Sequence, residues 1–410
     1  MPEETPRNLK AMLSEAKDTS ELMVDLGYAA LFFDDPAMAE EVGDLERRLS
    51  GLIHEMREIC VLGARSPREA EQMSSVRHVV SAIERMGNAA VDVSRIVTHR
   101  LGIPPALVAD LADADEVSHR VRVRDGSDLA RRTLANIEMP TELGLRVVAI
   151  RRGKEWIIDP DGEDTLLPDD VLILRGRPAG IPELRRMAGA PEWRSPEIAE
   201  DPAITDLDRA VDTLVEMKDI SEVAVGLAYS ALLFYDVSLA AEVNHLEDRL
   251  DEMRERLEVW VLRAAADRLD PSPLRGLLHL GGAAEAIGDA AQQMVWLVEE
   301  QEELHPVLAI ALGETDDVVV RMPIAAGSAL DGPTLAEAKL DMEPGFSVLA
   351  IRRGGRYLYR PRGFVRLAAG DELIASGPDE GKPELAELAG YRLYEDDDTG
   401  EIELIPATSA

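Results

Sequence analysis

The 410-residue chain has a single cysteine, no uncharged run of bilayer length, and 44 basic residues, very few of them lysine, against 79 acidic ones. Each shortage removes a class of protein. Cys60 alone cannot close an internal disulfide or build a zinc knuckle, so thiol staples and Cys-type metal sites are excluded. The most membrane-like stretch, Val223 to Tyr235, is 13 residues long, short of the ~18–20 that a helical span needs. The first residues, Met1-Pro-Glu-Glu-Thr, carry neither a basic n-region nor an apolar h-region, so no export signal and a cytoplasmic location are expected. No nucleophile–base spacing, His-x-x-x-His pair or phosphate-cradling glycine loop is present, so the chain is not expected to be an enzyme.

What is abundant is negative charge, a formal −35 at pH 7. Spread over the whole chain, it suits a cytosol at very high salt, where a Debye length of a few Å makes self-repulsion tolerable. The same acidity means that carboxylates on helices are common and that most are solvated faces. With no basic face or interleaving of aromatic and basic residues expected, nucleic acid is not a predicted partner.

The chain is one design written twice. Lys17-Asp18-x-Ser20-Glu21 returns as Lys218-Asp219-x-Ser221-Glu222, and Ala149-Ile150-Arg151-Arg152-Gly153 as Ala350-Ile351-Arg352-Arg353-Gly354, a constant step of 201 (218 − 17; 350 − 149). His78 and His279, Glu84 and Glu285, and Gly189 and Gly390 keep the same step. A repeat this long holds complete domains, not one layer of a solenoid.

Within each copy the hydrophobic period changes halfway. Leu22, Leu26, Ala29 and Phe33, then Val42, Leu45, Leu49, Leu52 and Met56, then Val76, Val79, Ile83, Met86 and Ala90 recur at three- and four-residue steps. They predict three long amphipathic helices in an antiparallel bundle, with Asp34-Asp35-Pro36 closing the first and Ser66-Pro67 opening the third. After Leu101 the pattern shortens to strands at 121–123, 146–151, 156–158 and 171–174, with a short helix expected over 131–137. The second copy predicts strands at 318–322, 347–352, 357–359 and 372–375 and a helix at 334–338. The expected fold class is therefore α plus α+β multidomain. It comprises helical bundles at 8–103 and 205–304, small α+β modules at 115–189 and 314–391, a linker from Ala190 to Glu197, and a loose acidic tail at 392–410.

The helical half resembles a PhoU domain, through Glu285-Ala-Ile-Gly-Asp289 and Glu242-Val-x-x-Leu-Glu247-Asp-x-Leu-Asp251. The strand half resembles the C-terminal TrkA (RCK-C) module, through Ser328-x-Leu330, Gly345-Phe-Ser-Val-Leu-Ala-Ile-Arg352-Arg353-Gly354 and Gly370-Asp371-Glu-Leu-Ile-Ala-Ser-Gly377. Together the two resemblances cover about nine tenths of the chain and imply a regulator of potassium channel or transporter activity, of the type found in halophilic archaea. The Gly-x-Gly-x-x-Gly of a Rossmann half, usual in RCK proteins, is missing, so NAD is not an expected ligand. The resemblance implies a membrane channel or transporter as partner, a small anionic ligand such as cyclic di-AMP, and pairing of the strand modules as a homodimer or within one chain. A PhoU-type regulator of phosphate uptake and signalling is the alternative.

Candidate site residues follow. In PhoU proteins acidic pairs four residues apart hold metal ions, which implies Glu247, Asp251, Glu285 and Asp289 as ligands for Mg, Mn or Fe, a hard-oxygen set that such cations prefer. The first copy has Glu46, Ser50, Glu84 and Asn88 instead, so only the second bundle is expected to bind metal; the bland alternative is a solvated acidic face. Arg151, Arg152, Arg352 and Arg353 end a strand, where guanidinium groups could grip phosphates bidentately or close local salt bridges. Lys-Asp-x-Ser-Glu is expected to form a contact between the bundles, and His78 and His279 to lie in the core or at its boundary.

Overall fold

A computed structural model describes residues 8–63, 65–111, 114, 116–192, 205–266, 270–313, 315–395 and 402–407. The first copy runs α1 (Leu9–Phe33), α2 (Pro36–Gly63), α3 (Pro67–Thr98), α4 (Pro105–Leu111), β1 (Val117–Arg122), α5 (Met139–Leu143), β2 (Leu145–Arg152), β3 (Glu155–Ile158), β4 (Val171–Gly176) and α6 (Ile181–Met187). The second runs α7 (Asp206–Phe234), α8 (Val237–Ala266), α9 (Arg275–Glu299), α10 (Pro306–Leu312), β5 (Asp317–Pro323), α11 (Leu335–Ala338), β6 (Ser347–Arg353), β7 (Arg356–Tyr359), β8 (Glu372–Pro378) and α12 (Lys382–Ala389). A terminal hairpin follows, β9 (Tyr391–Glu395) and β10 (Ile402–Pro406). The chain divides into a helical unit (Met1–Arg120, Ile173–Pro178, Trp193–Thr315) and a sheet unit (Val121–Leu172, Ala179–Glu192, Asp316–Ala410).

In the helical unit local chemistry stops and starts each helix. Asp34 takes a left-handed φ of 47° to end α1, and Asp35 Oδ1 accepts from the Met38 amide at 3.3 Å to start α2. Ser66 caps α3 with Pro67 in its first turn, and Thr205 with Asp208 closes a capping box on α7. Helices α1 to α3 pack mutually, as do α7 to α9. Close packing is set by glycine at one repeated point. A Cβ on Gly87 would stand 2.7 Å from Leu49 Cδ2, and one on Gly288 2.4 Å from Leu250 Cδ1, so each leucine fills the space its glycine leaves. The two bundles meet through α3 and α9, while α10 packs on α1 and α4 on α7, the same exchange made twice. Among the described residues no helix is long and apolar enough to cross a membrane.

The two sheets have strand orders β1-β4-β2-β3 and β5-β8-β6-β7. The pairs β5–β8, β6–β8, β6–β7 and β2–β3 are antiparallel. In the second module Val318, Met322, Phe346, Ile351, Leu373 and Leu385 form the core between sheet and α12. Within the sheet unit the modules touch at a contact seen from both sides. A Cβ at Gly144 would fall 2.1 Å from the Asp341 carbonyl oxygen, and one at Gly345 2.3 Å from the Pro140 carbonyl oxygen. These four positions differ by the same 201 (341 − 140; 345 − 144), so the contact is isologous within one chain. Arg146 adds ion pairs to Asp316 at 2.6 Å and Asp317 at 3.6 Å.

Two expectations are corrected. The helix expected at 131–137 is a series of turns, and the helical turn falls at α5, where Pro140 near the N-terminus and Gly144 at the C-cap bound it. The stretch expected as a loose tail is in part ordered: Tyr391–Glu395 pairs with Ile402–Pro406. Residues 193–197 of the expected linker lie outside the described residues.

Candidate functional site

The four candidate metal ligands gather where α8 meets α9. Glu247 is 8% exposed and accepts from Gln292 Nε2 at 2.6 Å. Burial, and then the charges of Asp251, Asp289, Asp248 and Glu285, push its carboxyl up to about 7. Burial also raises Glu285, against the pull of Arg254, whose Nη1 lies 2.7 Å away. Asp289 accepts from Arg85 of the other bundle at 3.1 Å. The donors are the hard oxygens that Mg or Mn takes, but two of the four are already neutralised by guanidinium groups. Among the described residues no group of three or more His, Cys, Asp or Glu side chains is arranged so that it could hold a metal ion. As it stands the cluster does not fit one. In the first bundle Glu84 is held by Arg57 at 2.5 Å and Glu46 by Ser50 at 3.2 Å.

The four arginines are engaged within their own modules. Arg152 forks onto Asp170 (3.0 and 2.8 Å) and Arg353 onto Asp371 (2.6 and 2.6 Å). Each aspartate is 1% exposed and also accepts a backbone amide, from Leu167 at 2.7 Å or Ala368 at 2.9 Å. The fork therefore ties the β2–β3 or β6–β7 turn to the loop before β4 or β8. Arg352 pairs with Glu372 at 2.7 Å, and Arg151 lies 5.8 Å from the Trp156 ring centroid.

Lys-Asp-x-Ser-Glu joins the bundles reciprocally. Lys17 Nζ lies 5.2 Å from the Tyr229 ring centroid and Lys218 Nζ 5.6 Å from that of Tyr28, each lysine also pairing with its own Glu21 or Glu222 at 2.8 Å. Around Lys218 the network grows. Arg175 bridges Asp25 (2.9 Å) and Glu116 (2.7 Å), and Lys218 reaches the Glu116 carbonyl at 3.4 Å. Burial opposes charge on Glu116, but Arg175, Arg177 and Lys218 outweigh it and hold the carboxyl down at about 2. Burial pushes Asp25 up to about 7 despite Arg175, with Glu116 and Glu222 adding repulsion. The second copy has Gly226, Ser376 and Pro378 where the first has Asp25, Arg175 and Arg177. Sequence reasoning missed this cluster; its signal was Asp25 inside the Leu22–Leu26 stripe and Arg175 ending an apolar strand.

His78 sits at a boundary, its ring stacked on Trp296 at 5.0 Å and its pKa lowered by burial. His279 departs from expectation: it is exposed, beside Arg254, Glu258, Leu262 and Leu278 at an open pocket.

Helical bundles duplicated along the chain, each leading into a small sheet module that packs on its twin, define the architecture. The PhoU domain model matches residues 13–97 and 214–298, and the TrkA-C domain model residues 119–189 and 319–390. The chain belongs to the tandem PhoU–TrkA-C family, two of each domain in alternation. It is 31% identical over 85 residues to the Ktr system potassium uptake protein C of Bacillus subtilis, a match covering 21% of this chain and 38% of that relative's length. PhoU from Pseudomonas aeruginosa aligns at TM-score 0.38 and 15% identity over 70% of this chain and 91% of its own. A GsuK channel bound to NAD aligns at TM-score 0.18 and 15% identity over 77% of this chain and 65% of its own. Neither alignment bears on how this chain's domains are arranged.

Proposed function

We propose that this protein regulates monoatomic cation transport across a membrane, potassium above all. In this reading the paired TrkA-C modules bind a small anionic ligand and the PhoU bundles pass the bound state to a membrane channel or transporter. The observation that carries it is the reciprocal Gly144–Asp341 and Gly345–Pro140 contact, which supports two sensor modules acting as one pair on one chain. The potassium-uptake relative supports the choice of ion.

A ligand shifts such a pair only if it binds two arrangements with different affinity. Phosphates gripping Arg152 or Arg353 compete with Asp170 or Asp371, so occupancy would loosen the fork that ties each turn to its sheet. The test is a thermal melt in molar KCl with cyclic di-AMP, and with ATP and NAD alongside. A rise in Tm with cyclic di-AMP, reduced in Arg352→Gln, is expected. At a hundredfold excess over Kd the stabilisation is about 2.7 kcal/mol. No shift with any of the three removes the sensing role.

A further inference from the structure

The β6–β7 hairpin of the second module reverses the charge of the rest of the chain. From 352 to 366 the sequence holds Arg352, Arg353, Arg356, Arg360, Arg362 and Arg366 with no acidic residue, in a protein of net charge −35. The matching hairpin of the first module is acidic: Glu155, Asp159, Asp161 and Glu163 stand where the second has Arg356, Arg360, Arg362 and Phe364. This corrects the expectation that no basic face with interleaved aromatics exists.

Three of these arginines are not fasteners. Arg353 is committed to Asp371, Arg352 to Glu372 and Arg366 to the Gly332 carbonyl. The side chains of Arg356, Arg360 and Arg362 have no ion-pair or hydrogen-bond partner among the described residues, and Arg356 and Arg362 are exposed. Beside them Phe364 is 77% exposed and Leu358 43%. β7 is the edge strand of its sheet, so this side is uncovered within the module.

We propose that this hairpin is a docking surface for an anionic phospholipid bilayer. Guanidinium groups next to an exposed phenylalanine and leucine match a surface that is anionic outside and apolar just beneath, since aromatic and aliphatic groups enter the headgroup boundary while arginine stays with the phosphates. An acidic partner without an apolar patch would satisfy the charges and leave Phe364 uncovered. The net charge of −35 does not forbid the approach, because at ~0.1 M salt repulsion is screened beyond about 10 Å and the nearest side chains decide. The contact places the second sensor module, and not the first, at the membrane.

The experiment is sedimentation of the full chain with vesicles of phosphatidylcholine alone and with phosphatidylglycerol added. The variant is the triple substitution Arg356→Glu, Arg360→Asp, Arg362→Asp. The first module already carries these residues at the same positions, and Asp159 and Arg360 share a left-handed backbone (φ 50° and 46°), so the fold is expected to survive, as a thermal melt verifies. Binding to the anionic vesicles only, falling with salt and weakened about a hundredfold or more in the variant, is expected from the loss of three cationic contacts. Phe364→Glu should weaken it as well. Equal binding to both vesicle types, or binding that the triple variant leaves unchanged, overturns the proposal. So does self-association, read by light scattering without vesicles, that the triple variant abolishes; it would make the hairpin's partner the acidic hairpin of a second copy. None of these outcomes depends on which ion or ligand the protein regulates.

Discussion

The two copies agree where the fold is made and differ where charge is buried or displayed. Leu49 against Gly87 and Leu250 against Gly288, Arg152 on Asp170 and Arg353 on Asp371, and Lys17 over Tyr229 and Lys218 over Tyr28 are the same contacts repeated. Against that background three departures stand out. The Asp25–Arg175–Glu116 network belongs to the first copy, and the crowded Glu247 cluster and the arginine hairpin to the second. Shared positions carry the fold, and the unshared ones are where the halves differ in charge.

The comparison is broken most severely at Arg175. Arg175→Met leaves the half-buried Asp25 and Glu116 without their shared cation, a loss expected to cost about 2–3 kcal/mol, below that of a fully buried pair. Ser376→Ala at the matching position should change stability by less than about 0.5 kcal/mol. Urea denaturation of both in the same KCl buffer measures the difference, and equal costs would mean that the network does not stabilise the first copy.

A test of equivalence comes next. Leu49→Ala and Leu250→Ala each empty the space beside a matching glycine, so each should cost about 2–5 kcal/mol. The two losses should agree with each other more closely than that range.

The smallest effect sharpens the contrast between the acidic clusters. Glu247 titrates at about 7 when folded, against about 4.3 for an ordinary glutamate. The folded state therefore holds this proton more tightly than the unfolded one, and stability falls as pH rises between those values. Glu247→Gln should raise Tm at pH 8 and change little near pH 4.5. Glu46→Gln, at the matching half-buried position, should do neither. Thermal melts across that range decide it.

The helical half was legible because apolar residues at three- and four-residue steps have one stable solution, and the capping residues Asp35 and Ser66 mark its breaks. The duplication was legible from spacing alone. The position of α5 was not, since 131–143 holds no periodic apolar stripe and only tertiary packing separates a helical turn from other turns. The Arg175 network joins residues 25, 116, 175 and 218, which no local pattern relates. Arg152 and Arg353 were recognisable as a repeated pair, but whether a guanidinium meets ligand or aspartate is decided by burial of Asp170 and Asp371, a fact of three dimensions. The arginine hairpin was visible as a stretch without acid, and the average charge of the whole chain concealed it.

The reciprocal seam at Gly144 and Gly345 has a further consequence. Two separate polypeptides meeting this way would dissociate on dilution, and each mutation would appear on both sides. Joined head to tail, the partners stay together at the lowest copy number, because the tether supplies an effective concentration of order mM. Evolution can then edit one flank and leave its twin untouched.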